Sequence, residues 1–205
     1  MGDMNQELLP EQPENGTPLE QPAAEPVETA VEPAPKRKSG SLSLAWDILL
    51  IGILILGAYF RFVGVDWDED QHLHPDERFL TMVASGITSE GNEGRYFDTA
   101  TSTLNPNNRG YGFYVYGTLP LFMVRITGEL LEQTGYSEIY LVGRQLSGFM
   151  DLLTILLVYF IANRLYHKPR LSLLAAAFTA FAVLQIQLSH YWTTDTFSNT
   201  FAILA

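Results

Sequence analysis

Ile48-Leu-Leu-Ile-Gly-Ile-Leu-Ile-Leu-Gly-Ala-Tyr-Phe60 is the run that decides the fold. It carries no charge. With Trp46 at one end and Arg61 reaching out at the other, it extends over Leu44 to Val63. That is about 20 residues, enough for a helix to cross roughly 30 Å of hydrocarbon. Its flanks separate it from a helix buried in a soluble core. Lys36-Arg37-Lys38 precedes it, and Trp46 stands where an interfacial anchor belongs. The basic cluster sets the orientation, with the N-terminal tail in the cytoplasm and Val65 outside.

Composition agrees with a membrane protein. Of 205 residues, 47% are hydrophobic and only 17% charged, a small charged share for a soluble domain. The net charge of −11 is unevenly spread. Met1 to Pro35 holds eight acids and no Lys or Arg, and is rich in Pro, Glu, Gln and Ala. It cannot bury enough apolar surface to offset its ordering entropy, so residues 1–40 read as a disordered, acidic, Pro-rich cytoplasmic tail. Basic residues gather at Lys36–Lys38 and at Arg164–Arg170, with no continuous basic face, which excludes a nucleic-acid partner. The absence of cysteine excludes disulfides and thiolate metal sites.

Residues 64–143 form a large external loop with twelve acids and four arginines. Asp76 to Ser85 reads as a short helix: Pro75 suits the first helical position, and Asp76 and Glu77 suit the first turn. Ser89 to Tyr111 reads as loop. Tyr114 to Leu131 is apolar but contains Pro120, Arg125 and Glu129. If it crossed, Arg164–Arg170 would lie outside, against the positive-inside rule, so it reads as an interfacial helix. Further spans are expected at about 144–165 and 171–188, with the start of another at 196–205. Asp151 lies about two turns inside the second span and should face the bundle interior. The expected fold is an all-α polytopic membrane protein with three complete transmembrane helices and the start of a fourth. Interfacial helices lie in its external loop, and the chain reads as the N-terminal portion of a larger protein.

Chemistry concentrates in Gln71-His72-Leu73-His74-Pro75-Asp76-Glu77-Arg78, a dozen residues past the first span. Two acids in a first helical turn serve the helix dipole. At a membrane face, the same carboxylates can act as general base for an acceptor hydroxyl or amine, or hold a divalent metal with His74. Asp195 caps the next helix or, under this topology, joins Asp76 on one face. Arg78, Arg125 and Arg144 stand on that side, as does His190 at the end of the third span. Each arginine is an interfacial anchor or a phosphate contact. Asp66-Trp67-Asp68 is a further acid pair with metal-ligand spacing.

Four pieces in order resemble the GT-C class of polytopic glycosyltransferases, and within it family 39, related to protein O-mannosyltransferases and aminoarabinose transferases. They are His74-Pro75-Asp76-Glu77 after the first span; Asn105-Pro106 leading to Tyr116-Gly-Thr-Leu-Pro-Leu-Phe122; Gly143-Arg144-Gln-Leu-Ser147 opening the next span, which ends Ala162-Asn-Arg-Leu-Tyr166; and Ser189-His-Tyr-Trp-Thr-Thr-Asp195. Together they cover Leu44 to Ala205. The resemblance implies inverting transfer of a sugar from a polyprenyl-phosphate donor to a protein, lipid or glycan acceptor at the outer face of a prokaryotic plasma membrane. It makes Asp76 the base, Glu77 its neighbour and Asp195 a supporting carboxylate. Arg144, Arg78 and His190 become candidates for substrate or phosphate contact, and a divalent metal at His74 and Asp76 is compatible with it. The family's later spans and C-terminal region have no counterpart here, so the fragment alone is expected to be inactive. Two rivals remain: a transporter or channel segment centred on Asp151, and an oligosaccharyltransferase-type GT-C enzyme with Asp66 and Asp68 as metal ligands.

Overall fold

The computed structural model describes residues 41–89, 95 and 98–205; the expectations for the 1–40 tail and for 90–94, 96 and 97 of the long loop fall outside them. Among the described residues there are seven α-helices and no strand. In order they are α1 (Ser41–Phe62), α2 (Pro75–Gly86), α3 (Thr118–Leu130), α4 (Tyr136–Tyr166), α5 (Pro169–Ala180), α6 (Val183–Ser189) and α7 (Thr194–Leu204). A 3-10 turn at Pro106–Arg109 lies between α2 and α3. Two helices, α1 and α4, are long and apolar enough to cross a membrane, and α5 with α6 makes a third if the bent pair is one span.

α4 is the central helix and packs against all six others. Its 31 residues extend about 46 Å at 1.5 Å per residue, well past a hydrocarbon core of roughly 30 Å. The span is expected from about residue 144. The helix begins two turns earlier, and those turns belong to a packed layer beyond the membrane thickness. There Ile139 and Val142 join Leu80 and Val83 of α2 and Leu121 and Val124 of α3 in one apolar core. Farther along α4, Ile155 and Tyr159 join Leu173, Ala176 and Ala180 of α5 in a second core, flanked by α1. α3 has 13 residues, about 20 Å, too short to cross. It lies on α2 and α4 and leaves Leu119, Ile126 and Leu130 exposed.

The two ends of the bundle are chemically distinct. At one, Arg170 lies over the ring of Trp46, 5.8 Å from its centroid, beside the turn between α4 and α5. At the other, the end of α1 meets the end of α6, where His190 Nε2 is 3.0 Å from the Val63 carbonyl. α2, α3 and the N-termini of α4 and α7 gather at that second, acidic end.

Arg61 does not reach outward as expected; it is fully buried. Its Nε donates to Asp151 Oδ2 at 2.6 Å, and its Nη1 donates to the carbonyls of Gly57 and Ala180 at 3.0 Å each. The sequence offers no reason for the third span to break, since Thr179 to Val183 contains neither Pro nor Gly. Yet α5 and α6 meet at 54°. The carbonyls that end α5 take the arginine in place of the next helical turn, a side-chain insertion that sustains the bend. Gly57 also lets α1 lie close on α4, because a Cβ there would lie 3.3 Å from Ile155.

Removing one member of a buried ion pair strands the other's charge, whereas replacing both with apolar groups does not. Arg61→Leu should therefore lower stability by about 3–5 kcal/mol, and Arg61→Leu with Asp151→Leu should recover most of that loss. Thermal unfolding of the three proteins in the same detergent measures both.

Candidate functional site

The acidic end is built around Arg144. All five of its N–H groups are used. Nε and Nη2 donate to the two oxygens of Glu77, each at 2.7 Å. Nη1 and Nη2 donate to the two oxygens of Asp68 at 2.9 and 3.0 Å, and Nη1 also donates to the Val65 carbonyl at 2.8 Å. The three side chains are fully shielded from solvent. One cation between two carboxylates leaves an excess negative charge in a buried place. Backbone amides answer it: the Trp192 N–H donates to Glu77 Oε1 at 2.9 Å and the Leu73 N–H to Asp68 Oδ2 at 3.2 Å. Glu77 also stands in the first turn of α2, where the helix dipole favours an anion. The guanidinium lies over the ring of Tyr140, 4.7 Å from its centroid, a cation–π contact.

This cluster joins four distant pieces of chain. Asp68 comes from the segment after α1, Glu77 from α2, Arg144 from α4 and the Trp192 amide from the segment before α7. Gly143 allows the last of these to close in, because a Cβ there would lie 2.3 Å from the Trp192 ring.

The consequence is the placement of the two exposed carboxylates. Asp76 is next to Glu77 in sequence, and Asp195 is three residues past Trp192; both reach solvent. Tyr116, on the strand of loop before α3, donates its hydroxyl to Asp76 Oδ1 at 2.8 Å. That bond, partial burial and the charges of Asp76 and then Asp195 all push the Tyr116 pKa up. Asp76 thus bonds this phenol directly, and Asp195, at the start of α7, bears on it only through its charge. An exposed carboxylate with one oxygen already hydrogen-bonded can accept a proton from an incoming hydroxyl at the other.

Other expected residues fall elsewhere. Glu77 is a buried clasp for the site rather than part of its exposed surface. Arg144 has no N–H to offer a phosphate. Arg125 is buried and bonded to Glu129 at 2.7 Å and the Ala84 carbonyl at 3.0 Å. His190 faces the carbonyls of Ile186 and Val63 with its two ring nitrogens, at 2.8 and 3.0 Å, and in the neutral ring one of the two can donate. Arg78 is exposed, with Nε donating to the His72 carbonyl at 3.2 Å, and is the expected phosphate-binding arginine that still faces solvent.

The histidines have structural places. His74 caps α2, accepting the Glu77 N–H at Nδ1. His72 is buried with φ 47° between Tyr136 and Tyr140, with Nε2 2.9 Å from Asp70. Among the described residues, no group of three His, Cys, Asp or Glu is placed to hold a metal ion. Asp66 and Asp68 diverge, Asp66 accepting the Tyr140 hydroxyl at 2.7 Å while Asp68 takes Arg144. Tyr116 was not expected at the site, and Asp68 only as a metal ligand in the oligosaccharyltransferase alternative. Tyr116 stood in the quoted Tyr-Gly-Thr-Leu-Pro motif, but nothing in one sequence says that it folds back onto α2.

No family model, curated protein or solved structure matches the chain. Among the described residues, the fold and the site define a helical protein with two or three helices long and apolar enough to cross a membrane, and an arginine-clasped acidic cluster at one end.

Burial opposes charge on Asp68, but hydrogen bonds and charge from Arg144, with the Leu73 amide, outweigh it and hold its carboxyl below the usual value. A lowered folded pKa gives stability that is complete above the unfolded value, about 3.9, and is lost as pH falls through the folded value. The native protein should thus keep Asp68's contribution at pH 7 and lose it only below about pH 4. Arg144→Met should cost about 3–5 kcal/mol at pH 7 and narrow its deficit on acidification, as the stranded carboxylates protonate. Denaturant midpoints of both proteins at pH 7 and pH 4 check this.

Proposed function

We propose that this chain carries the acceptor-activating face of a GT-C-type glycosyltransferase, moving a sugar from a polyprenyl-phosphate donor to an acceptor at the outer face of a prokaryotic plasma membrane. The observation that carries the reading is an exposed carboxylate, Asp76, hydrogen-bonded to Tyr116 and next in sequence to Glu77, which a buried arginine clasps at the mouth of the bundle. A lipid-linked donor stays in the bilayer while its sugar meets groups at the water side. Carboxylates at helix mouths satisfy that geometry.

In the proposed step, Asp76 accepts the proton of the acceptor hydroxyl or amine as that atom attacks the anomeric carbon. The bond between that carbon and the phosphate oxygen breaks, and the lipid phosphate leaves with the electron pair, inverting the configuration. Tyr116 orients the Asp76 carboxylate by holding Oδ1. Asp195 adds negative charge beside it and favours a positive oxocarbenium-like centre. Arg78 is the cation suited to the phosphate. The acceptor class remains protein, lipid or glycan. In the transporter alternative, Asp151 would act as one half of its buried pair with Arg61.

Asp76→Asn in the full-length protein should lower turnover by about 10²–10⁴-fold, the usual worth of a general base, with unfolding unchanged. Tyr116→Phe should lower it less. Transfer of radiolabelled sugar from a polyprenyl-phosphate donor measures both, and near-native turnover in Asp76→Asn removes the role given to Asp76. The cysteine-free chain also permits a topology test. Single cysteines at Leu73 and Gln187, both exposed, should label from outside intact cells, and one at His167 should label only after permeabilisation.

A further inference from the structure

The acidic end contains an aromatic corner that the proposed chemistry does not use. Trp67 and Tyr191 meet at 90° with centroids 5.6 Å apart. Together with Gln187 and His190 they line an open cavity of about 230 Å³. Trp67 Nε1 donates to the His190 carbonyl at 3.3 Å, which fixes the indole, and His74 packs against the other member, 4.7 Å from the Tyr191 ring. The corner adjoins the carboxylate site along the chain on both sides. His74 is two residues before Asp76, and Tyr191 is four before Asp195 and next to the Trp192 amide that Glu77 holds.

Resting on the reading above, we propose that this corner is the subsite for the sugar ring of the lipid-linked donor. The apolar C–H face of a pyranose or furanose lies flat on an aromatic ring, while its rim of hydroxyls needs hydrogen-bonding groups. Trp67 and Tyr191 supply two perpendicular aromatic surfaces, and the exposed Gln187 amide supplies donors and an acceptor. The cavity suits one sugar ring. A prenyl chain is the poorer occupant: the corner stands past the end of α1, beside Val63, and the exposed apolar sides of α1 offer that chain hydrocarbon surroundings. His190 is part of the cavity lining, with its ring nitrogens beside the carbonyls of Ile186 and Val63.

The test uses the full chain in lipid nanodiscs with three probes: farnesyl phosphate carrying glucose, farnesyl phosphate carrying mannose, and farnesyl phosphate alone. Binding is read by calorimetry. The native chain should bind at least one sugar-bearing probe more tightly than the bare lipid. Trp67→Leu and Tyr191→Leu should each erase about fivefold or more of that preference, the scale of one lost ring contact. Trp67→Phe, which keeps a ring, should retain most of it. Equal affinity of the native chain for all three probes overturns the proposal. So does a loss in Trp67→Leu that is the same for the bare lipid, since the corner would then take the chain or the phosphate. Asp76→Asn should leave the preference intact. If Asp76→Asn transfers sugar normally while Trp67 still governs the preference, the catalytic reading fails and the subsite stands.

Discussion

One arginine between two buried carboxylates sets the geometry of the acidic end. Arg144 uses every N–H it has, and Glu77 and Asp68 each receive two of its bonds. Such a cluster is expensive to form, because three charges must leave water, and it holds only when its geometry is complete. Completeness here needs the Trp192 and Leu73 amides as well as the side chains. The segment after α1, the start of α2, the outer part of α4 and the entry to α7 must therefore arrive together. Asp76 and Asp195 inherit their positions from that requirement.

A second buried pair plays the same part deeper in the bundle. Arg61 binds Asp151 and the carbonyls that end α5. It ties α1, α4 and α5 to one register and supports the bend that aims α6 at the acidic end. The third span is thereby turned so that His190 and Tyr191 reach the segment following α1. Two arginines, one at mid-bundle and one at its mouth, account for how residues more than a hundred positions apart come to one end of the bundle.

Much of this was legible in the sequence. The uncharged run from Ile48 to Phe60 gave α1, Pro75 with Asp76 and Glu77 gave the start of α2, and the arginine distribution argued against a crossing at Tyr114 to Leu131. Asp76 and Asp195 were both visible as carboxylates at helix starts on one face. The partners of the arginines were not visible. Periodicity tells which face of a helix is apolar, but it does not say which carboxylate in a loop will meet which guanidinium. Arg144 was consequently read as a phosphate contact and Arg61 as an outward anchor, when both are buried and paired. The break after Ala180 left no trace either, because it depends on Arg61 rather than on a proline or glycine in its own segment.

The central claim is that the Arg144 clasp holds Asp76 and Asp195 at one place. Cysteines substituted for both aspartates in this cysteine-free chain, treated with a short bifunctional maleimide, test it most directly. The account predicts rapid intramolecular cross-linking in the otherwise native protein and its loss when Arg144→Met is added. Absence of cross-linking with Arg144 present, or cross-linking that survives its removal undiminished, contradicts it.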